Sequence, residues 1–451
     1  MKVSKFGGTS LATAEQVKKV CSILLSDPER QIVVVSAPGK RYKDDIKVTD
    51  LLIKCAQARL SGGSAADEIE TIVDRYKEIA TGLGLGCGII DTIRNDLNMR
   101  INEDISDENQ FLDLLKAAGE DNCAKLVAEY LISIGKKAVY VNPREAGLIL
   151  SMDYGNARAL PESYDNLKRL KDLDGIKVFP GFFGYSPEGK VVTFSRGGSD
   201  ITGAILAAAV QADVYENFTD VDSVYVADPR IIENPKAIHE LTYREMRELS
   251  YAGFWVLHEE ALEPVYRTGI PVHIKNTNNV ASPGTRIVTE RKITNGPVAG
   301  IACEKGFCSI NVSKYMMNRE IGFGRKVLHM LEDEGISFEH MPSGIDNISI
   351  LIKEAKFNEQ VEERVFNRIR NELHVDDVHT QRSLSVIVVV GEGMAQTVGV
   401  AGRATTALAR SNVNIEMMNQ GASEVSMVFG IKAVDSEKAV RALYNEFFGQ
   451  A

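Results

Sequence analysis

A lysine placed two residues before a pair of glycines is the first feature of this sequence that could do chemistry. The stretch VSKFGGTSLA (3–12) runs from a short apolar strand through Lys5 into Gly7 and Gly8, and a helical pattern follows. A strand that enters a helix through Gly-Gly directs backbone N–H groups toward an anion, and the missing Cβ atoms let a phosphate approach closely. Taken alone, the stretch fits a tight turn with a surface lysine equally well.

A second pair of glycines stands beside an arginine. In TFSRGGSDITGAILAAA (193–209) a strand ends near Arg196, and Ser199 or Asp200 is placed to cap a helix of small residues. The guanidinium carries five donors in a fork that matches a carboxylate or a phosphate. Two such turns at the carboxyl ends of strands favour one anion site, because ligands of open α/β sheets bind at that edge.

A third stretch, NFTDVDSVYVADPR (217–230), ends a strand in an acidic cluster. Asp220, Asp222 and Asp228 have the chemistry to hold Mg²⁺, which takes one or two protein carboxylates together with phosphate oxygens. Aspartate is also a common turn former, and Tyr225 fits either stacking on a base or packing in the core. Both interpretations of this stretch stay open.

The elements that must position these stretches alternate between strands and helices up to about residue 290. The predicted strands cover residues 2–6, 31–37, 137–142, 176–184, 190–195, 212–219 and 271–276. Helical periods separate them, and the first of these has Thr13 and Gln16 as a capping box. Strands separated by helices imply an α/β fold, with a mostly parallel sheet sandwiched by helices.

The chain changes character near residue 290 and then repeats itself. SPGTRIVTERKITNGPVAG (282–300) is rich in Gly, Pro and charge and suits a linker. Beyond it, ISFEHMPSGIDNISILI (336–352) aligns without gaps with VNIEMMNQGASEVSMVF, which lies 77 positions later. Each copy reads strand–helix–strand–strand–helix, the pattern of a small ferredoxin-like α+β domain. We therefore predict domains over residues 1–290, 300–375 and 376–451.

The composition of the chain and the motifs that it lacks argue against several classes of function. The 451 residues carry a formal net charge of −10, which argues against a general binder of nucleic acids or membrane surfaces. The six cysteines form no CxxC pair and are expected to be free thiols, and we expect a cytoplasmic protein without a membrane span. No histidine pair has metal-ligand spacing, and no GxSxG stretch supports a hydrolase. GYSPEGKV (184–191) lacks the Ser/Thr of a phosphate-binding P-loop and is predicted to be a hairpin turn.

Taken together, these motifs resemble the aspartokinase family. KFGGTSLA, VVVSAPGK with VTDLL, AAGE (117–120), TFSRGGSD, FTDVDSVYVADPR and IPVHIKNT occur in that family's order and spacing. EHMPSGID and VNIEMMNQGASEVS look like its paired ACT regulatory domains, so the resemblance covers essentially the whole chain. It implies an amino-acid-kinase fold followed by two ACT domains. It also implies phosphorylation of L-aspartate by ATP and Mg²⁺, the first step toward lysine, threonine and methionine.

The resemblance implies a role for each matching position of this chain. Catalysis would fall to Lys5, Gly7, Gly8, Arg196 and Asp200. L-Aspartate would be bound by Ser36, Thr49, Glu120, Arg196, Gly198 and Ser199. ATP would be bound by Lys5, Gly7, Gly8, Thr9, Ser10, Thr219, Asp220, Tyr225, Asp228 and Arg230.

The resemblance also implies regulation by an end-product amino acid. Lysine is the expected effector and threonine a further one, bound near Met317, Phe323, Ser343 and Asp346. Met317 and Phe323 fit a place in the core equally well. ACT domains of this family pair between chains, so a homodimer is expected, with room for a higher assembly.

One position departs from the family pattern. The family often has a lysine before Val-Leu-His, where this chain has Trp255 in GFWVLHEE. Either Arg230 or another cation, with Lys275 as a candidate, replaces the missing charge, or this chain binds ATP differently. Two other functions therefore stay open: a kinase of the same fold acting on glutamate or N-acetylglutamate, and a non-catalytic amino-acid sensor.

Overall fold

The computed structural model describes residues 1–254, 257, 259–293, 296–421 and 425–449. The described residues form two compact units. The first unit is built from the ranges 1–224, 237–243 and 255–291, and the second from 225–236, 244–254 and the chain from residue 292 onward. Two short segments of the predicted first domain thus belong to the second unit, and the predicted domain limits remain predictions.

The strands up to residue 288 are short and mostly buried. In chain order they are β1 (Lys2–Phe6), β2 (Arg30–Val35), β3 (Ala138–Tyr140), β4 (Ile176–Pro180), β5 (Phe183–Tyr185), β6 (Val191–Thr193), β7 (Val214–Thr219), β8 (Val224–Tyr225), β9 (Ala237–Ile238), β10 (Glu240–Thr242), β11 (Val272–Asn276) and β12 (Thr285–Val288). In the described part of the chain, eight of them form one sheet in the order β10-β12-β11-β7-β1-β2-β4-β3. All neighbours pair in parallel except β11 and β12, so the predicted, mostly parallel sheet is confirmed.

Helices cover both faces of this sheet. In chain order the helices up to residue 268 are α1 (Ala14–Leu25), α2 (Val48–Leu60), α3 (Ala66–Leu83), α4 (Cys87–Ile101), α5 (Glu108–Ser133), α6 (Pro143–Ala146), α7 (Pro161–Leu167), α8 (Gly198–Val210), α9 (Tyr243–Tyr251), which belongs almost entirely to the second unit, and α10 (Glu263–Thr268). Helices α1 to α5 share a core with Phe6 and Phe218 of the sheet, whereas α8 packs on the opposite face. Since side chains alternate along a strand, Lys5 points toward α8.

The second unit continues with ten elements in two matching sets. They are β13 (Gly300–Ser313), α11 (Phe323–Asp333), β14 (Phe338–His340), β15 (Asn347–Lys353) and α12 (Glu359–Leu373), followed by β16 (Asp377–Val390), α13 (Val400–Arg410), β17 (Met417–Asn419), β18 (Ser426–Lys432) and α14 (Ser436–Phe448). β16 and α13 begin and end 77 positions after β13 and α11. The predicted repeat and its order of elements are therefore present.

The two repeats share a single antiparallel sheet. Its strand order among the described residues is β14-β15-β13-β16-β18-β17. β13 and β16 pair along their whole length, from Gly300 opposite Val390 to Ser313 opposite Asp377, with an irregularity near Phe307. The first half of β13 therefore pairs with the second half of β16. Half of each of these two strands thus extends the part of the sheet that belongs to the other repeat.

Two local differences from the sequence-based expectations have physical reasons. Thr285–Val288, expected to be part of a linker, forms β12, because Thr285 and Ile287 are fully buried in the first sheet. The strand expected over 190–195 is β6, which among the described residues pairs with β5 alone, as the predicted hairpin turn requires. Asp113 of α5 accepts hydrogen bonds from the backbone N–H and the hydroxyl of Thr193, which ties this hairpin to the helix.

Two further observations concern the cysteines and the helices. All six cysteines are free thiols. No helix in the described ranges is long and apolar enough to cross a membrane.

Candidate functional site

Lys5 lies at the carboxyl end of β1 and is almost fully buried. Its Nζ is 2.5 Å from Oδ1 of Asp200, in the first turn of α8. Gly7 continues the chain from the end of the strand and donates its N–H to the carbonyl of Phe218 in β7, at 3.2 Å. A Cβ added at Gly7 would lie 3.8 Å from Nζ of Lys5, so the ammonium stands directly over the glycine turn. The ion pair brings the first and the second glycine stretch together.

Gly8 packs against a second loop that begins after β2. A Cβ at this position would lie 2.7 Å from the carbonyl oxygen of Ala37, and Gly39 donates its N–H to the carbonyl of Gly8 at 2.8 Å. Arg75 of α3 donates to the carbonyl of Gly39 at 2.6 Å and pairs with Asp45 at 2.7 Å. Glycine is therefore needed at residue 8 because two backbones touch there.

The second glycine stretch starts α8. Gly197 caps the helix in the left-handed region, with φ of 79°, where glycine carries no steric penalty. A Cβ at Gly198 would come within 2.6 Å of the ring of Phe182, so this position also requires glycine. Ser199 is buried behind it, whereas the side chain of Arg196 is exposed. The helix N-terminus thus presents a free guanidinium and the carboxylate that holds Lys5.

Glu120 is a buried carboxyl group on α5. Burial raises the pKa of Glu120 from its usual value to about 8, while the backbone N–H of Ala37 and the charge of Lys5 act in the opposite direction. Its Oε2 finds no hydrogen-bond partner among the described residues. An unpartnered buried carboxylate oxygen costs free energy, so this atom points to a cationic group that the ligand supplies.

The other predicted residues of the first unit lie around the same edge. Ser36 follows β2 and donates its N–H to the carbonyl of Phe6 at 3.3 Å, and Thr49 lies in the first turn of α2. Thr9 is exposed, whereas the buried hydroxyl of Ser10 lies 2.7 Å from that of Thr277, which follows β11. The hydroxyl groups of this edge therefore come from loops after three different strands.

The acidic stretch after β7 is divided between the two units. Thr219 ends β7 and donates to the exposed carboxylate of Asp220 at 3.3 Å, while Asp222 accepts from Asn276 at 2.7 Å. Tyr225, Asp228 and Arg230 belong to the second unit. There Arg230 lies 2.7 Å from Asp228. Burial raises the pKa of the Asp228 carboxyl group, but the hydrogen bonds from Arg230 have the larger combined effect, so the pKa is lowered from its usual value.

These contacts do not gather the three aspartates into one cation site. Among the described residues, no group of three or more His, Cys, Asp or Glu side chains is arranged to hold a metal ion. Asp222 and Asp228 accept hydrogen bonds from Asn276 and Arg230 and are partly buried, whereas Asp220 accepts one from Thr219 but is exposed to solvent.

The four predicted effector residues lie in one part of the second unit. Met317 and Phe323 are buried in the core of the first repeat, as one of the two open interpretations expected. Ser343 is exposed in the turn between β14 and β15. Asp346 closes that turn onto the loop before Met317, since its Oδ1 accepts from the N–H of Met316 at 2.9 Å and its carbonyl accepts from Lys314 at 2.8 Å.

Comparisons with known proteins agree with this geometry. The model of the Amino acid kinase family matches residues 1–276, and an ACT domain model matches residues 387–447. Aspartokinase 3 of Bacillus subtilis (strain 168) is 57% identical over 448 residues, which is 99% of each chain. This chain belongs to the aspartokinase family. The predicted family, the fold class and the enzyme class, an aspartate kinase, are confirmed.

Solved aspartokinases share the whole fold. The crystal structure of Clostridium acetobutylicum aspartate kinase superimposes with a TM-score of 0.88 at 40% identity, covering 99% of this chain and all of that one. Aspartokinase III of E. coli, solved with aspartate and ADP, gives a TM-score of 0.79 at 24% identity over 99% of this chain and all of that one. The same protein solved with lysine and aspartate gives 0.76 at 24% identity, with 99% of both chains covered.

Two positions need separate mention. Trp255, which departs from the family pattern, lies outside the described residues. Asn217, in the middle of β7, was singled out by none of the sequence arguments, although its Nδ2 donates to Asp200 at 2.8 Å. The available signal was an amide next to Glu216 in a strand predicted to lie in a parallel sheet, where most side chains are hydrophobic.

Proposed function

We propose that this edge of the first sheet transfers the γ-phosphoryl group of ATP to the β-carboxylate of L-aspartate. The products are 4-phospho-L-aspartate and ADP. The observation that carries the proposal is the buried Lys5–Asp200 pair above Gly7, with the unpartnered oxygen of Glu120 in the same neighbourhood. A cation for phosphate and an anion for an amino group are what this reaction requires of its site.

The chemistry needs charge neutralisation rather than a general base. The acceptor carboxylate has an unperturbed pKa of about 3.9 and is ionised at neutral pH. Its oxygen attacks the γ-phosphorus while the bond from that phosphorus to the oxygen of ADP breaks. Two like charges about 4 Å apart repel by about 4 kcal/mol at an effective dielectric constant of about 20. Lys5 and the N–H groups of the glycine turn would offset that repulsion.

L-Aspartate would be held at both ends. Glu120 would accept its ammonium group, and the exposed guanidinium of Arg196 would bind a carboxylate in the two-pronged manner of arginine. Ser36, Thr49, Gly198 and Ser199 would line the space between them. This arrangement leaves the β-carboxylate directed at the phosphate on Lys5.

ATP would enter from the side of β7. Thr9 and Ser10 would support the phosphate turn, and Thr219 and Asp220 would form the nucleotide side within the first unit. For Tyr225, Asp228 and Arg230 of the second unit, a role in binding ATP is what the family resemblance implies. Mg²⁺ would be bound mainly by phosphate oxygens, because this part of the structure offers few exposed carboxylates. Asp220 is an exposed carboxylate that could also bind it. When bound, the metal supplies positive charge to the phosphates.

The ACT repeats would sense an end-product amino acid. We assign lysine as the effector, with threonine as a second one, at the loop before Met317 and the turn containing Ser343 and Asp346. The assembly would be a homodimer through the ACT repeats. Ile321 is 95% exposed beside this loop and Val398, its counterpart 77 positions later, is fully exposed, as expected of residues that a second chain covers.

An assay of ADP release across acceptors tests the proposed reaction. L-Aspartate should be the preferred acceptor over glutamate and N-acetylglutamate, and Lys5→Ala should lower kcat by about 100-fold or more, because it removes the charge on the phosphate. Lys2→Ala is the matched control, since Lys2 lies on the same strand but pairs with Asp27 and should leave kcat unchanged.

Each alternative function has its own result in this assay. Faster ADP release with glutamate or N-acetylglutamate than with aspartate would show that aspartate is not the preferred substrate. Binding of lysine without any turnover of ATP would favour the sensor. Full activity of Lys5→Ala would reject the site itself.

A further inference from the structure

Lys5 and Asn217 are direct neighbours on adjacent parallel strands. The register of β1 and β7 places Lys5 opposite Asn217, so both side chains point to the face covered by α8. Asn217 is 2% exposed. A buried amide needs hydrogen-bond partners, and at this position they decide how α8 meets the sheet.

Both neighbours donate to one oxygen of Asp200. Nζ of Lys5 lies 2.5 Å from Oδ1, and Nδ2 of Asn217 lies 2.8 Å from the same atom. A carboxylate that accepts two fixed donors on one oxygen cannot rotate freely about its terminal bond. The position of the Lys5 ammonium is therefore set jointly by Asp200 and Asn217.

A tyrosine completes the arrangement from the same strand. The hydroxyl of Tyr215 donates to the backbone carbonyl of Asp200 at 3.0 Å, and its ring occupies the space where a Cβ at Gly203 would lie. Tyr215 thus holds the backbone of Asp200 while Asn217 holds its carboxylate. The first turn of α8 is fixed to β7 at two separate points.

We propose that Asn217 is a positioning residue for phosphoryl transfer. It orients the Asp200 carboxylate so that the Lys5 ammonium stays over Gly7, where the transferred phosphoryl group would lie. The amide also takes up part of the negative charge of Asp200, which leaves more of the lysine charge for the phosphate. An amide does this without adding a charge to the pair, whereas an acid or a base would.

Replacing the amide by an apolar side chain gives the first test. Asn217→Val keeps a side chain suited to a strand but removes the donor, and kcat should fall by about tenfold or more, since small displacements of a catalytic group are costly. The KM for aspartate should change by less than about twofold, because the substrate-binding groups are untouched. Ser4→Ala is the matched control: Ser4 is buried in the same strand pair, donates to Glu216 at 2.9 Å and faces away from α8.

A general loss of folding would not give this pattern. If Asn217→Val and Ser4→Ala lower the unfolding temperature by similar amounts, only the former should lose kcat. Equal kcat values for Asn217→Val and the wild type would overturn the proposal.

An acid at this position gives a second test with a pH signature. Asn217→Asp is isosteric, and two carboxylates on one site raise the pKa of one of them. The titratable and charged groups facing the position are Lys5 on β1, Asp200 on α8 and Tyr215 on β7, whereas β11 presents Ile274. When protonated, the introduced acid can donate to Asp200 as the amide does; when ionised, it competes for Lys5.

The kcat of Asn217→Asp relative to the wild type should therefore rise as the pH is lowered from 8 to 6. A ratio that stays constant across this range would contradict the positioning role, even if the variant is less active. The same variant covers the case in which Asn217→Val does not fold.

This inference rests on the proposed role of Lys5, and the two can fail separately. An active Lys5→Ala variant would remove the proposed function and the inference with it. An inactive Lys5→Ala together with a fully active Asn217→Val would remove the inference alone.

Discussion

Glu120 is the residue whose environment departs most clearly from that of an ordinary surface acid. Its carboxyl group is buried, its pKa is raised by that burial to about 8, and one oxygen lacks a partner among the described residues. A bound ammonium group would supply both the missing hydrogen bond and the opposite charge. Substrate binding and ionisation of Glu120 should therefore be linked.

The pH dependence of aspartate binding tests this linkage. Since in the proposed site the ionised form of Glu120 would bind the ammonium group, the KM for aspartate should fall as the pH rises from 6.5 to 8.5, through the pKa of about 8. Glu120→Gln should raise that KM by about tenfold or more and remove its pH dependence, while the KM for ATP serves as the internal control.

Stability without substrate should move in the opposite direction. A pKa raised in the folded state means that the protonated form of Glu120 is the stable one, so this contribution to stability is lost as the pH rises through about 8. The unfolding temperature of the wild type should therefore fall more between pH 5 and pH 8, the range between the ordinary pKa of a glutamate and the raised one, than that of Glu120→Gln. An identical response of both proteins would contradict the assignment of the raised pKa to Glu120.

At the scale of elements, the site depends on two loops whose backbones touch. The turn after β1 and the loop after β2 meet at Gly8 and Gly39, where a Cβ on either residue would lie under 3 Å from backbone atoms of the other loop. Arg75 of α3 holds the second loop from behind through the carbonyl of Gly39. The spacing between the proposed phosphate turn and the proposed aspartate-binding loop is set by this contact.

Gly8→Ala should therefore separate the two loops. The added methyl group meets the carbonyl of Ala37 at 2.7 Å, so the backbone must shift, and we expect a loss in kcat/KM of about 100-fold together with a lower unfolding temperature. Gly402→Ala is the matched control, because its Cβ would meet nothing within 4 Å on an exposed turn of α13. That variant should keep full activity and gain stability, as Gly-to-Ala changes in helices do. Similar activity in both variants would refute the role of the contact.

The elements also show what a sequence can and cannot predict. Because the two repeats align at an offset of 77 positions, β13 and α11 predicted β16 and α13. In the structure both copies start their helix after a glycine with positive φ, Gly322 in the first and Gly399 in the second. The exchange of strand halves between the repeats was not predictable, since every half-strand has the same apolar pattern whichever neighbour it pairs with. The strand β12 was not predicted because the Gly, Pro and charged residues around it are typical of a linker.

The residues of the proposed site could be selected from the sequence, but their pairings could not. Lys5, Asp200 and Glu120 were all found from motifs and family resemblance. Their contacts depend on the strand order of the sheet, which brings residues almost 200 positions apart into an ion pair. Asn217 was not identified from the sequence for the same reason, because its proposed role depends on β7 being the neighbour of β1.

At the scale of the whole molecule, the exposed apolar residues of the second unit point to assembly. Ile321 and Val398 occupy equivalent places just before α11 and α13, and Ile345 is 70% exposed in the turn that carries Asp346. Large apolar side chains that are exposed together mark interaction surfaces more often than chance positions. The proposed effector loop and the proposed dimer contact therefore lie in the same region.

Charge at Ile321 should weaken the dimer. Light scattering should give the wild type a mass of about 99 kDa, twice the 49.5 kDa of one chain, and Ile321→Asp should shift it toward the single-chain mass. Val434→Asp introduces the same charge at another exposed apolar residue, outside both effector loops, and should remain dimeric. A wild type that stays at 49.5 kDa at all concentrations would contradict the proposed assembly.

A structure of the enzyme with L-aspartate and a non-hydrolysable ATP analogue tests the central claim most directly. We predict the aspartate ammonium within about 3.5 Å of Oε2 of Glu120 and a γ-phosphate oxygen within about 3.5 Å of Nζ of Lys5, the reach of hydrogen bonds and ion pairs. Aspartate bound away from Glu120, or a γ-phosphate that does not contact Lys5, would contradict the account.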